Sequence, residues 1–200
     1  MFEEKEYRGV DFSEAEILEE KLTGLRFENC RFHGADFSGI VLENCRFETC
    51  DFSGAEMNGI TAKRTAFVNC RFRFTNCFAA AFDGCKMTGS AFEDANCTAM
   101  QILGGDWSFT YLADLDFERR ELADINFTEA DLSHCNFSKA RLQNCNFSGA
   151  NLNGASFRHA DLRGSNFERV NLLEMDLFKA KIDLEQSILF AEALGAVYTP

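Results

Sequence analysis

The chain has 200 residues, a net charge of −12, nine cysteines and a single proline, Pro200. No stretch has the apolar length of a membrane span, and residues 1–20 are acidic with no signal-peptide core, so a soluble, cytoplasmic protein outside the membrane is expected. So acidic a chain is not expected to bind nucleic acid directly.

A five-residue register runs from Tyr7 to Ile182. It is clearest over residues 122–171, where the centres Leu122, Phe127, Leu132, Phe137, Leu142, Phe147, Leu152, Phe157, Leu162 and Phe167 alternate Leu with Phe. Two residues before each centre after the first stands a small residue or Ile125. Five residues turn an α-helix by about 500°, which smears apolar sites around it. On a plain strand an odd period sends successive centres to opposite faces. A short strand followed by a corner in every repeat satisfies the pattern, and stacked coils about 4.8 Å apart then pair backbone to backbone as a β-solenoid. Every fourth centre forms a column of like residues, for example Tyr7, Phe27, Phe47 and Phe67, or Leu22, Leu42, Ala62 and Phe82. The period is therefore twenty, with four sides and about nine coils.

In chain order, residues 1–20 carry eight acidic residues against Lys5 and Arg8, and Glu20 occupies a site meant for a small residue. This segment reads as a first coil or cap over the open end. Residues 22–92 follow the repeat well. Glycines such as Gly39, Gly54 and Gly84 fall two after a centre, at the corner, where an unusual backbone conformation suits glycine. The cysteines fall two before a centre, except Cys77 and Cys97, which are centres; all nine are expected to point inward as small hydrophobes. His33, His134 and His159 fall on outward positions, so no metal site is expected.

Residues 100–122 are the least regular. Phe109 and Tyr111 fall outward there, as does Phe74 earlier, and the three make a candidate partner patch. One outward column, twenty residues apart, holds Glu16, Asp36, Glu56, Asn76, Asn96, Asp116, Asn136, Ser156 and Asp176, with no basic member. Its acids, Glu16, Asp36, Glu56, Asp116 and Asp176, form a candidate partner-binding edge, a row of carboxylates that imitates the phosphate charge of a duplex.

After Ile182 the period changes. Asp183 reads as an N-cap and Gly195 as the stop of a short helix, with Leu184, Ile188, Leu189 and Ala191 as an apolar stripe. Leu173, Phe178, Leu184, Ile188 and Leu189 are expected to form a homodimer interface. The domains are then 1–182, the repeat, and 183–200, a capping or dimerisation helix and tail. There is no Ser-His-Asp set, metal cluster or nucleotide fingerprint, so neither an enzyme nor a cofactor is expected.

The motifs Ala35-Asp36-Phe37-Ser38-Gly39, Cys50-Asp51-Phe52-Ser53-Gly54 and Ala150-Asn151-Leu152-Asn153-Gly154 resemble those of pentapeptide-repeat proteins. That resemblance implies an all-β, right-handed quadrilateral β-helix, here with a short C-terminal helix. The terminal helix with Leu194-Gly195-Ala196-Val197-Tyr198 resembles the ending of the Qnr and MfpA group. The resemblance implies a DNA-mimicking dimer, joined through that end, which binds DNA gyrase or topoisomerase IV and protects it from poisons such as fluoroquinolones. Many Qnr proteins carry two loops that interrupt the repeat; this chain keeps its phase and resembles the loopless members. The alternative is a pentapeptide-repeat scaffold for some other protein.

Overall fold

The computed structural model describes residues 2–199. The chain divides into two compact units, Met1–Tyr111 and Leu112–Pro200, and the boundary falls in the least regular stretch of the sequence.

Unit 1 contains strands β1 (Glu6–Arg8), β2 (Lys21–Thr23), β3 (Arg26–Glu28), β4 (Val41–Glu43), β5 (Arg46–Glu48), β6 (Thr61–Lys63), β7 (Ala66–Val68), β8 (Ala81–Asp83), β9 (Gln101–Leu103) and β10 (Gly105–Asp106). One face is the parallel sheet β1-β3-β5-β7 and another is β2-β4-β6-β8-β9. Each residue pairs with the one twenty positions on, as in Tyr7↔Phe27, Phe27↔Phe47 and Phe47↔Phe67. Two further faces are held by single bridges, Asp11↔Arg31↔Asp51↔Arg71↔Ala91↔Tyr111 and Glu16↔Asp36↔Glu56↔Asn76↔Asn96. The fold is the expected β-solenoid with four faces per coil.

The corner explains the period of five. In Phe52-Ser53-Gly54-Ala55 the Ala55 N–H donates to the Phe52 carbonyl at 2.9 Å, and Gly54 takes φ +69°, as the third residue of a type II turn must. The Gly54 N–H then donates to the Arg73 carbonyl of the next coil at 2.8 Å, so the turn costs the ladder no hydrogen bond. Non-glycine residues fill the same corner elsewhere, including Asn69 at φ +53° and Phe74 at φ +57°.

The interior follows from parallel, in-register pairing. Rings one coil apart stack at the strand spacing, with centroids 4.8 Å apart for Phe27–Phe47, 4.9 Å for Phe32–Phe52 and 5.1 Å for Phe52–Phe72. Rings on adjacent faces meet edge to face, as in Phe47–Phe52 at 5.3 Å. Trp107 packs against Phe82 and Phe92, wholly buried.

Unit 2 repeats the plan. It contains β11 (Ile125–Asn126), a 3-10 turn η1 (Leu172–Glu174) and the helix α1 (Leu184–Ala193). Single parallel bridges such as Asp116↔Asn136↔Ser156↔Asp176 and Asp131↔Asn151 keep the twenty-residue offset. Phe117, Phe137 and Phe157 stack at 5.1 and 4.9 Å, while Leu132 and Leu152 are the buried centres of another face.

Eight of the nine cysteines are buried and none is in a disulfide. The thiols two before a centre donate to carbonyls of the preceding coil, as Cys135 does to Leu112 and Cys145 to Leu122, both at 3.1 Å. Burial pushes the Cys85 thiol up to about 11 and those of Cys135 and Cys145 up to about 12. Among the expected centres, Tyr7, Phe12, Cys97 and Leu177 are only half-buried and Ile182 is exposed. Cys97 is only half-buried, because its N–H turns back to the Ala95 carbonyl where the unit 1 ladder ends after Asn96. Ile182 is exposed, because the last bridge of its face is Asp161↔Lys181 and the chain then leaves for the helix.

Candidate interaction surfaces

The acidic column is built by register alone: residues twenty apart in parallel pairing lie above one another, about 4.8 Å apart. In unit 1, Glu16, Asp36 and Glu56 are exposed and lead to Asn76 and Asn96. The Asn76 side-chain amide donates to Glu56 Oε2 at 2.7 Å, and that of Asn96 donates to Asn76 Oδ1 at 3.1 Å. The Ser38 hydroxyl and N–H hold the Asp36 carboxyl below the usual carboxylate range, so it stays ionised near neutral pH. Among the described residues no lysine or arginine pairs with these three acids. The other outward strand positions of this face are Leu18, Ser38, Asn58, Phe78 and Thr98, none of them basic.

The same column differs in unit 2. Asp116 accepts from the Asn136 amide at 2.9 Å, and its neighbour Glu118 pairs with Lys139 at 3.0 Å and Arg119 at 3.4 Å. Asp176 pairs with Arg158 at 2.8 Å, and that guanidinium holds its carboxyl below the usual range. Of the five acids only Asp176 has a basic partner; Glu16, Asp36 and Glu56 stand on a stretch without lysine or arginine, and Asp116 stands beside the neutralised Glu118. The difference lies one position after each centre of this face and at the corner that follows, where unit 2 carries Arg119, Lys139 and Arg158 and unit 1 carries no lysine or arginine.

Another face of unit 1 is charged but self-neutral. A groove of about 140 Å³ is lined by Glu6, Arg8, Arg26, Glu28, Arg46 and Glu48. Arg26–Glu6, Arg46–Glu48 and Arg8–Glu28 pair at 3.1, 3.0 and 3.4 Å. Exposed pairs of this kind are worth well under about 1 kcal/mol each.

Phe74, Phe109 and Tyr111 are all exposed. They do not form one patch. Phe74 and Phe109 occupy left-handed corners, at φ +57° and +58°, at opposite edges of the face on which Tyr111 pairs with Ala91. Arg73 lies over the Phe74 ring, 4.6 Å from its centroid. Sequence reading missed Phe78, which is 48 % exposed and lies across Asn76 from Phe74. The signal was present: Phe78 directly follows the centre Cys77, a position where the repeat favours Ser, Thr or Arg.

At the C-terminal end of unit 2, Asp183 caps α1. Its Oδ1 accepts from the Gln186 N–H at 3.0 Å, its Oδ2 from the Gly164 N–H at 2.7 Å, and the Gln186 side chain returns a bond to the Asp183 N–H at 3.1 Å. Gly195, just past the helix, takes φ +88° as the stop. The docked face differs from the expected stripe. Gln186 is buried and donates to the Leu162 and Ser165 carbonyls at 2.6 and 2.8 Å, and Phe190 reaches the Phe167 ring. Leu184 points away and is 75 % exposed, while Ile188 and Leu189 are half-buried. Leu173 and Phe178 are exposed, the latter beneath Arg158 at 4.6 Å. Leu194, Val197 and Tyr198 extend the exposed apolar surface.

Among the described residues no cluster of His, Cys, Asp and Glu has metal-holding geometry, and no helix is long and apolar enough to cross a membrane.

Two family models match the chain: pentapeptide repeats (9 copies) over residues 21–61, and pentapeptide repeat region over residues 106–177. Comparison with curated protein sequences finds no match. Among solved structures, a trypsin-treated form of QnrB1, a plasmid-mediated fluoroquinolone resistance protein, is 25% identical with a TM-score of 0.83, and the match covers 97% of each chain. Full-length QnrB1 is 21% identical with a TM-score of 0.53, over 96% of this chain and 100% of that one. With the twenty-residue register, the four-faced coil and these matches in agreement, the chain belongs to the pentapeptide-repeat family and is Qnr-like in fold.

Proposed function

We propose that this protein binds a type II topoisomerase, DNA gyrase or topoisomerase IV, in place of DNA, and so modulates the enzyme's response to poisons such as fluoroquinolones. The observation that carries the reading is the unpaired ladder Glu16–Asp36–Glu56 on a face without lysine or arginine. A surface that grips DNA is basic, and a regular row of ionised carboxylates suits it. The similarity to QnrB1 supports the same direction.

The test is a supercoiling assay with purified gyrase, with and without a fluoroquinolone. The wild-type chain should change supercoiling at micromolar concentration, and rescue in the presence of drug would mark a protector. The Glu16→Lys, Asp36→Lys, Glu56→Lys variant should lose the effect with its fold intact, a loss of about 100-fold or more for three reversed contacts. An unchanged effect in the folded triple variant would sink the charge argument.

We also propose a homodimer through the C-terminal end, built on Leu173, Phe178 and Leu184 with Ile188 and Leu189 behind them. Their exposed apolar surface, continued by Leu194, Val197 and Tyr198, supports it. Light scattering should give a dimer for the wild type and a monomer for Leu173→Asp with Leu184→Asp. An acidic residue at position 184, in the first turn of α1, does not harm the helix itself. A dimer that survives both changes would remove this interface.

A further inference from the structure

We infer that Phe74 and Phe78 form the apolar anchor of the unit 1 recognition face, seating an aliphatic side chain of a protein partner whose basic residues lie along Glu16, Asp36 and Glu56. This rests on the topoisomerase reading above and names the part of the surface that would supply grip rather than attraction.

The need for an anchor comes from a magnitude. Three carboxylates span about 10 Å of the ladder, where a duplex sets about six phosphates in the same length. Charge at that density steers an encounter; lasting contact calls for desolvated apolar area. The ladder leads directly to it. The Asn76 side-chain amide donates a hydrogen bond to Glu56 at 2.7 Å, and Phe74 and Phe78 stand on either side of Asn76, 58 % and 48 % exposed.

The fold does not require either ring. The corner position of Phe74 is Gly54 in the preceding coil, and the strand position of Phe78 is Thr98 in the following one. Phe74 occupies a left-handed corner, φ +57°, that suits glycine, so a bulky residue there works against stability. The Phe74 ring and the backbone that carries Phe78 are nevertheless held in place. Arg73 stacks on Phe74 at 4.6 Å and is itself drawn to Asp94 at 3.7 Å, while the Phe78 N–H donates to Asn76 Oδ1 at 3.2 Å. An exposed ring fixed before binding, as Phe74 is, loses little freedom on contact. The occupant follows from charge. A face with three unpaired carboxylates and no lysine or arginine at its outward strand positions repels nucleic acid, anionic lipid and a second copy of itself, and suits a basic protein surface.

The experiment uses the full-length chain with Phe74→Gly and Phe78→Thr, the residues already present at the equivalent positions. Binding to purified DNA gyrase holoenzyme is measured at 50 and 200 mM salt, beside an Asp36→Asn, Glu56→Gln variant. The anchor variant should bind about tenfold more weakly, through faster dissociation, with an unchanged salt slope and a thermal midpoint no lower than wild type. The charge variant should instead associate more slowly, with a flatter salt slope. Phe78→Thr alone, which leaves the corner untouched, should show the same sign at about threefold. Wild-type affinity in both Phe variants, with the charge variant weakened, would overturn the anchor and leave the topoisomerase reading standing. A wild-type chain that does not bind gyrase would overturn both.

Discussion

Replacing Phe52 with alanine should destabilise unit 1 by about 3–5 kcal/mol. The ring is wholly buried, stacked between Phe32 and Phe72 at 4.9 and 5.1 Å, and met edge-on by Phe37, Phe47 and Phe67 at 5.7, 5.3 and 5.8 Å. Truncation leaves a void the width of a ring between two rigid coils. The backbone ladders fix the coil spacing, so neighbours have little room to collapse into it. Phe52→Leu should cost far less, about 1–2 kcal/mol, since Leu132 and Leu152 fill the same column in unit 2 at full burial. Guanidinium unfolding monitored at the aromatic signals would measure both. A loss under about 1.5 kcal/mol for alanine would mean that the aromatic columns are not close-packed.

The second large effect is at Gly105, where alanine should cost about 3 kcal/mol or more. A Cβ there would sit on the Cys85 carbonyl oxygen and 2.9 Å from the Cys85 nitrogen, both backbone atoms of the neighbouring coil. Gly105 also takes φ +103°, outside the comfortable range of an L-residue. Gly39 is the control. It takes φ +70° with nothing within 4 Å of its Cβ position, so Gly39→Ala should cost only about 1 kcal/mol, the conformational term alone. Thermal midpoints of the two variants separate steric contact from backbone strain; equal shifts would contradict the close approach at Gly105.

The contrast between these glycines shows the reach of local sequence. Read along the chain, Gly39 falls at the corner of the repeat, and Gly105 falls two residues before the centre Trp107, at the site for a small inward residue. The register asks only for a small residue at position 105; the close approach of the Cys85 backbone, twenty residues away, is what excludes even a Cβ there. The acidic column behaves in the same way. Its nine members are legible from spacing, yet the charge state of each stretch depends on side chains from other repeats. Arg158 reaches Asp176 across eighteen residues, and Lys139 reaches Glu118 across twenty-one. No spacing rule marks which long basic side chain will turn toward which acid, because such side chains have several rotamers of similar energy.

What the sequence determined by itself was the coil. A period of five with a small residue two before each Leu or Phe leaves a strand-and-corner solution, and like residues at twenty leave four faces. The N-cap at Asp183 and the stop at Gly195 were also legible, because capping is local chemistry. What only the tertiary structure decided was which surfaces remain open. Gln186, a polar residue, became the buried face of α1 because the Leu162 and Ser165 carbonyls at the end of the ladder needed donors, and Leu184 was thereby turned outward. Phe78 became half of an exposed aromatic pair because the corner at Phe74 set the two rings on either side of Asn76. Periodicity records where a side chain points; only the fold records what lies beside it.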